Sequence, residues 1–404
     1  MRDQAPRARF ACRSLVARAG TMLVVAGLAA GCTGGPAGGS AAAGGSASPV
    51  ATVSATTAPA ASSPGATIAP SDATPMPSAA TPAPSVAAPT PTTAPSAEAP
   101  FRWTALATEG APPAREDHTW TVDPDGGAAY LFGGRDGSTV FDDLWRFDLA
   151  ADTWERVSAA GPTGRFGHTA TWVEGVGVVV WSGQGGPTTF FDDLWVFDPA
   201  AGAWSELPDA GPRPAARYGS CAALDGDGRL WISHGFTADA GRFADTWTYD
   251  VAAGSWTEVT PDGQGPVVRC LHDCLWTPDG RLVVYAGQTT GVPAIGDLWA
   301  LGDGAWTKAD GAEPPARQLY GLATVGDTAW VFGGAGADRA KLADLWRLDL
   351  GTLGWESVTV PGDGPAGRSG ATLVADGTGG RLLLFGGLTA DGASAETWSL
   401  PLRP

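Results

Sequence analysis

The residues with the most chemistry in this chain come in sixes. Arginines stand at positions 115, 165, 217, 269, 317 and 368, separated by 50, 52, 52, 48 and 51 residues. A ring of guanidinium groups could grip a carboxylate, a sialic acid or a sulfate through paired hydrogen bonds. An equal series of acids, Asp143, Asp193, Asp245, Asp297, Asp344 and Glu396, stands two residues before the tryptophans 145, 195, 247, 299, 346 and 398. One arginine and one acid per repeat read as structural pairs, which leaves no free cationic ring. His118, His168 and His272 each follow an arginine by three residues, a place taken elsewhere by Ser220, Tyr320 and Ala371. Zinc or copper would need three such ligands to converge. Histidines on the first, second and fourth repeats do not converge in any obvious way, so no metal and no cofactor is expected. His234 breaks the pattern and is expected near the start of a surface loop.

Three cysteines, Cys221, Cys270 and Cys274, fall in the repeat region. Relative to the arginine of their own repeat they stand at +4, +1 and +5. Side chains alternate across a strand, so +4 and +5 lie on opposite faces of equivalent strands and can meet between neighbouring repeats. A bridge from Cys221 to Cys274 or to Cys270 is therefore possible. Cys270 to Cys274 would need a local turn, because an extended i to i+4 pair spans about 13 Å.

These side chains need a scaffold, and the rest of the repeat supplies it. A second tryptophan series, 154, 204, 256, 306 and 355, keeps the same period. Apolar runs such as Val178–Trp181, Leu282–Tyr285 and Leu382–Phe385 suit strands covered on both faces. Asp-Gly and Gly-Asp pairs at 125–126, 225–226, 279–280, 326–327 and 376–377 suit two-residue hairpin turns. Each repeat thus reads as four short strands. The sixth lacks the second tryptophan, and Phe101-Arg102-Trp103 ahead of the first has the character of the missing strand. Trp103 would close the row into a ring without open edges.

Arg-x-x-His, a diglycine after an apolar strand, acid-x-Trp and a later Trp together resemble the kelch repeat, whose period is near 50 residues. The diglycine is intact at 133–134, 333–334 and 386–387, and is replaced by Ser182-Gly183, His234-Gly235 and Ala286-Gly287. The resemblance covers 101–404 and implies an all-β fold, a six-bladed β-propeller with four-stranded blades. The blades would fall at about 110–160, 161–210, 211–262, 263–310, 311–360, and 361–404 with 101–106. The propeller is similar to the central domain of galactose oxidase, and two enzyme readings follow from such likeness. A copper oxidase needs Tyr and His ligands and a Tyr–Cys crosslink, and none of the five tyrosines is followed by His. A sialic acid mutarotase needs a cleft with Arg and a carboxylate or His for proton transfer.

Residues 1–31 read as an export signal, with five arginines ahead of an apolar run too short to span a bilayer. Leu28-Ala29-Ala30-Gly31-Cys32 resembles the lipobox of bacterial lipoproteins, which implies lipidation at Cys32. The leucine stands four residues before the cysteine rather than the usual three. Residues 32–100, rich in Ala, Pro, Ser and Thr, cannot build a core and would act as a tether of roughly 45 Å root-mean-square reach. A net charge of -17 excludes nucleic acid as partner. The expected protein is exported, lipid-anchored to the bacterial cell envelope or secreted, and binds a protein or glycan. Varied loops after the second strands would carry that binding, with Arg135, Asp136, Gln184, His234, Gln288, Arg339 and Lys341 as contacts. A carbohydrate-active enzyme is the alternative.

Overall fold

The computed structural model describes residues 101–402 apart from 108, 312, 378 and 379, so the expected leader, Cys32 and the whole of the tether lie outside the described residues. Every regular element among the described residues is a β-strand. They form six four-stranded antiparallel meanders. The first runs Thr119–Asp123, Ala128–Phe132, Leu144–Asp148 and Thr153–Val157. The next two follow the same order from Thr169–Val173 to Ala203–Glu206 and from Cys221–Leu224 to Ser255–Val259. The fourth and fifth, Asp273–Trp276 to Ala305–Lys308 and Gly321–Val325 to Trp355–Val358, are joined by the short strand Arg317–Gln318. In the sixth, Thr372–Ala375, Arg381–Phe385 and Thr397–Pro401 take Thr104–Leu106 as their outer strand.

That last pairing is antiparallel, with Ala105 opposite Trp398. Trp103 is buried beside Phe332 and Leu400, and Gly364 packs on its indole as Gly161 packs on Trp204 and Gly265 on Trp306. Trp103 therefore fills the fourth-strand position of the sixth meander. A second closure does not depend on that strand. The amide N–H groups of residues 117, 167, 219, 271, 319 and 370 each donate to the carbonyl of the same position in the preceding meander, at 2.7–3.1 Å. Asp117 donates to Gly370, so the chain of bonds returns on itself. All six of these residues have φ between +55° and +65°. The left-handed turn points each amide along the ring instead of along its own strand.

Second strands are buried along most of their length, for example Ala128–Phe132, Gly177–Trp181 and Leu282–Ala286. Meander stacks on meander, and aromatic rings fill the wedges: Trp120 and Trp154, both packed on Phe147, meet Phe385 of the sixth. At about 25 cal/mol per Å² of apolar area, such burial is the main stabilising term.

Two expectations change. Of the five two-residue hairpin turns expected between first and second strands, only Gly326-Asp327 is one; the first and third meanders turn over four residues, with positive φ at Gly127 and Gly228. There Asp123 and Asp225 accept amide hydrogens of their own turn, which stabilises the longer connection. The varied loops after the second strands are in fact small ribbons. Arg135–Asp136 pairs with Thr139–Val140, Gln184–Gly186 with Thr189–Phe190, and Phe236–Thr237 with Gly241–Arg242, while the fourth and fifth meanders extend their long middle strands.

Candidate binding site on the loop face

Each arginine of the sixfold series is at most 1% exposed and anchors three parts of its meander. In the first, Arg115 Nε donates to Pro113 O at 3.0 Å, Nη1 to Gly133 O at 2.8 Å, and Nη1 and Nη2 to the two oxygens of Asp143 at 2.6 and 3.0 Å. Arg165, Arg217, Arg269 and Arg317 repeat this with Asp193, Asp245, Asp297 and Asp344. Arg368 reaches Glu396 by one bond of 2.6 Å and Ser394 Oγ by another. The tryptophan two residues on is on the same side of its strand, and its indole N–H donates to that carboxylate in all six. Burial pushes these carboxyls up, but the arginine and the indole outweigh it and hold them below their ordinary values. With four of five N–H donors engaged and the side chain closed to solvent, such guanidinium groups are not open to a ligand.

The histidines lie in separate junctions. Gly133 leaves room for the His168 ring and Gly386 for that of His118, each T-shaped against a phenylalanine. Burial drives both far toward the neutral form, His168 to about 3. Tyr320 uses the same place to join meanders, accepting from Asp273 N and donating to Tyr285 O. His234 corrects an expectation: it is not on a surface loop and contacts no ligand space. It is 0% exposed, bonded through Nδ1 to Ser233 Oγ at 2.7 Å, edge-on to His272, and shifted down to about 3 by burial. Its φ of +57° turns the side chain into the junction with the fourth meander. The disulfide joins Cys221 to Cys274 across that junction, with Cα atoms 5.4 Å apart, and Cys270 is a buried thiol. Among the described residues no group of three or more His, Cys, Asp or Glu is placed to hold a metal ion.

The meanders differ from one another where their inner strands begin on the loop face. The residue after each arginine pairs with the residue after each diglycine: Glu116 with Arg135, Phe166 with Gln184, Tyr218 with Phe236, Cys270 with Gln288, Gln318 with Ala335 and Ser369 with Leu388. These pairs surround the amide ring. Beneath the ring runs an axial cavity of about 580 Å³ walled by all six inner strands. On its wall Asp273 has no charged partner, and burial lifts its carboxyl to about 7.

On the second and third meanders the rim is aromatic, Phe166, Phe190, Tyr218 and Phe236 forming a run of neighbours with ring centres no more than 6.4 Å apart. Arg135 stacks on Phe166 at 4.4 Å and Arg242 on Phe236 at 5.5 Å. Arg135 Nη2 also binds Glu116 at 3.2 Å and Asp117 at 3.0 Å. Burial, then the neighbouring Asp117, raises Glu116 to about 7 against the pull of Arg135 and Lys341; burial raises Asp117 too. Lys341 donates to Ser369 Oγ.

Of the residues expected to contact a ligand, Arg135 and Lys341 join this mouth. Gln184 folds back onto Gly186 O at 2.7 Å, and Gln288 lies beside the Cys270 thiol with Arg242. Asp136 and Arg339 are exposed on their hairpins. Glu116, Asp117, Tyr218, Phe236 and Arg242 went unnoticed. The first three occupy the two variable positions after a repeated arginine, and that was the available signal.

Six meanders, the arginine clamp and the acid-x-Trp strand define a kelch-type β-propeller. The chain belongs to the KLHDC2/KLHL20/DRC7 Kelch-repeats domain family, whose model matches residues 99–287 and 279–403. It is 28% identical over 284 residues to acyl-CoA-binding domain-containing protein 5 of Arabidopsis thaliana, covering 67% of this chain and 36% of that protein. It is 33% identical over 273 residues to leucine-zipper-like transcriptional regulator 1 of Homo sapiens, covering 63% and 32%. With Rab9 effector protein with kelch motifs of Bos taurus the identity is 32% over 193 residues, 44% of this chain and 50% of the relative. The chain thus spans about a third of the length of the first two relatives and half of the third.

Proposed function

We propose that this protein is an interaction scaffold that binds a protein partner on its loop face, around the mouth of the axial cavity. One observation carries the reading: an arginine clamp on an acid recurs in every meander, while the pairs ringing the mouth are all different. Aromatic and arginine side chains there match the chemistry that dominates protein interfaces. The name of the Rab9 effector relative, a protein defined by a partner, points the same way. We further propose that the propeller works outside the cytoplasm, on an envelope to which lipidated Cys32 and the 32–100 tether attach it; two or more acyl chains hold a protein stably on a membrane.

The test of the face is a Tyr218→Ala/Phe236→Ala double variant of the full chain. Capture of partners from envelope extracts, identified by mass spectrometry, is expected to fall at least tenfold at a temperature where the variant still shows the cooperative melting of a folded propeller. Undiminished capture overturns the reading. Glycan-array binding lost in the same variant would replace the protein by a sugar as occupant. Cys32→Ser is expected to move the protein from the membrane pellet to the soluble fraction, and retention in the pellet overturns the anchor.

A further inference from the structure

The first meander alone places two acids after its clamp arginine. Where Glu116-Asp117 stands, the others carry Phe-Gly, Tyr-Gly, Cys-Leu, Gln-Leu and Ser-Gly. Asp117 also belongs to the closed amide ring and borders the axial cavity. Its side chain is only 2% exposed. Oδ2 accepts from Arg135, but Oδ1 is buried and accepts from nothing. Two positions round the rim, Gln318 Oε1 is likewise buried without a donor. A buried acceptor left unpaired is destabilising, because it has lost its water and gained no donor, so both call for hydrogen-bond donors. The next ring residue is Gly370, which puts no side chain over Oδ1.

The charges tell the same story. Glu116, Asp117 and Asp136 face Arg135 and Lys341, the last being one of only two lysines in the chain. Tyr218, packed near Arg135, is held neutral by burial. Immediately around Glu116, three carboxylates face these two cations, so with all three ionised this corner of the mouth is one positive charge short. An ammonium group supplies that charge and is donor-only, with three N–H bonds to give. A guanidinium would duplicate Arg135, whose Nη2 already bridges both acids. A metal ion would have to displace that guanidinium.

We propose that Glu116 and Asp117 form a subsite for a protonated primary amine, a lysine side chain or chain N-terminus presented at the loop face. The proposal rests on the reading of that face as an interaction surface. A lysine stem would lie along the aromatic rim while its head reaches the acids. Burial first, and then the nearness of the two acids, makes the pair hold a proton near neutrality, so the amine and the proton compete. With Glu116 at about 7, releasing one proton makes binding about tenfold weaker at pH 6 than at pH 8.

The probe is n-butylammonium, titrated by NMR into the full chain at both pH values. Binding is expected to weaken tenfold at pH 6, and at least tenfold in Asp117→Asn, an isosteric change in which asparagine tolerates φ of +56°. Asp273→Asn, on the cavity wall, is expected to bind as the wild type does. Equal binding by wild type and Asp117→Asn, the same affinity at both pH values, or loss in Asp273→Asn overturns the subsite. Acetyl-Gly-Lys-Gly-amide and Gly-Gly-Gly-amide then separate a lysine from an N-terminus. Failure of butylammonium to bind, with partner capture still dependent on Tyr218 and Phe236, removes the amine subsite and leaves the interaction face standing.

Discussion

Arg115 and Arg135 lie in one meander and begin alike. Each stacks on a phenylalanine, Phe141 at 4.1 Å and Phe166 at 4.4 Å, and each binds carboxylate. Arg115 is closed to solvent, and its Nε, Nη1 and Nη2 all have acceptors. Arg135 is 33% exposed, spreads one nitrogen over two acids and leaves Nε buried without a partner. Completeness separates a part of the frame from a part of a site. The first arrangement recurs in every meander, and the second occurs once.

The comparison breaks most visibly at the clamp. Arg317→Ala strands the Asp344 carboxylate and the Gly333 and Pro315 carbonyls. The expected loss is about 3–5 kcal/mol in urea unfolding. Combined with Asp344→Ala, the two losses should fall short of adding by about 1–3 kcal/mol; simple additivity would remove the clamp's claim to be a unit.

Arg135→Ala should cost less, about 1–3 kcal/mol at pH 8, and its cost should depend on pH. Glu116 is raised from 4.5 to about 7 in the folded protein. A carboxyl raised in this way contributes stability that is complete below 4.5 and lost as pH rises through about 7. Arg135 opposes that loss, so the variant should suffer more at pH 8 than at pH 5. A deficit constant across that range would place Arg135 with the frame.

Much of this was legible before any coordinates. Arginine, acid and tryptophan repeat in step because one carboxylate serves both the guanidinium and the indole, and a repeated chemical need leaves a repeated spacing. Trp103 was legible for the same reason, as the one missing member of a series. His234 was not, because a residue in a glycine position reveals its backbone angle and not the direction of its side chain. Glu116 and Asp117 were hidden by the motif itself: Arg-x-x-His treats its middle letters as filler. Arg242 acquires its neighbours Tyr218 and Cys270 from two different meanders, a proximity that only folding creates.

Asp273 offers a milder contrast, an acid without any arginine. Burial raises it from 3.8 to about 7, so its penalty is absent well below pH 3.8 and complete above pH 7. Asp273→Asn should match the wild type at pH 3 and exceed it at pH 8, by at most about 4 kcal/mol less the cost of burying the amide. Equal stability at both pH values would mean that water in the cavity solvates the carboxylate fully.

The smallest effect is the sharpest control. Arg347 donates from Nε and Nη2 to Glu356 at 3.0 and 2.6 Å, directly across neighbouring strands. By bond count it rivals the contact of Arg368 with Glu396. Its side chains, however, are 48% and 62% exposed, so water and salt screen the attraction and ordering two long chains offsets most of what remains. Arg347→Ala should therefore change unfolding by about 0.5 kcal/mol or less, and the small loss should shrink further in salt. If it costs as much as Arg317→Ala, the worth of the clamps lies in the ion pair alone, and burial no longer distinguishes the frame from the surface.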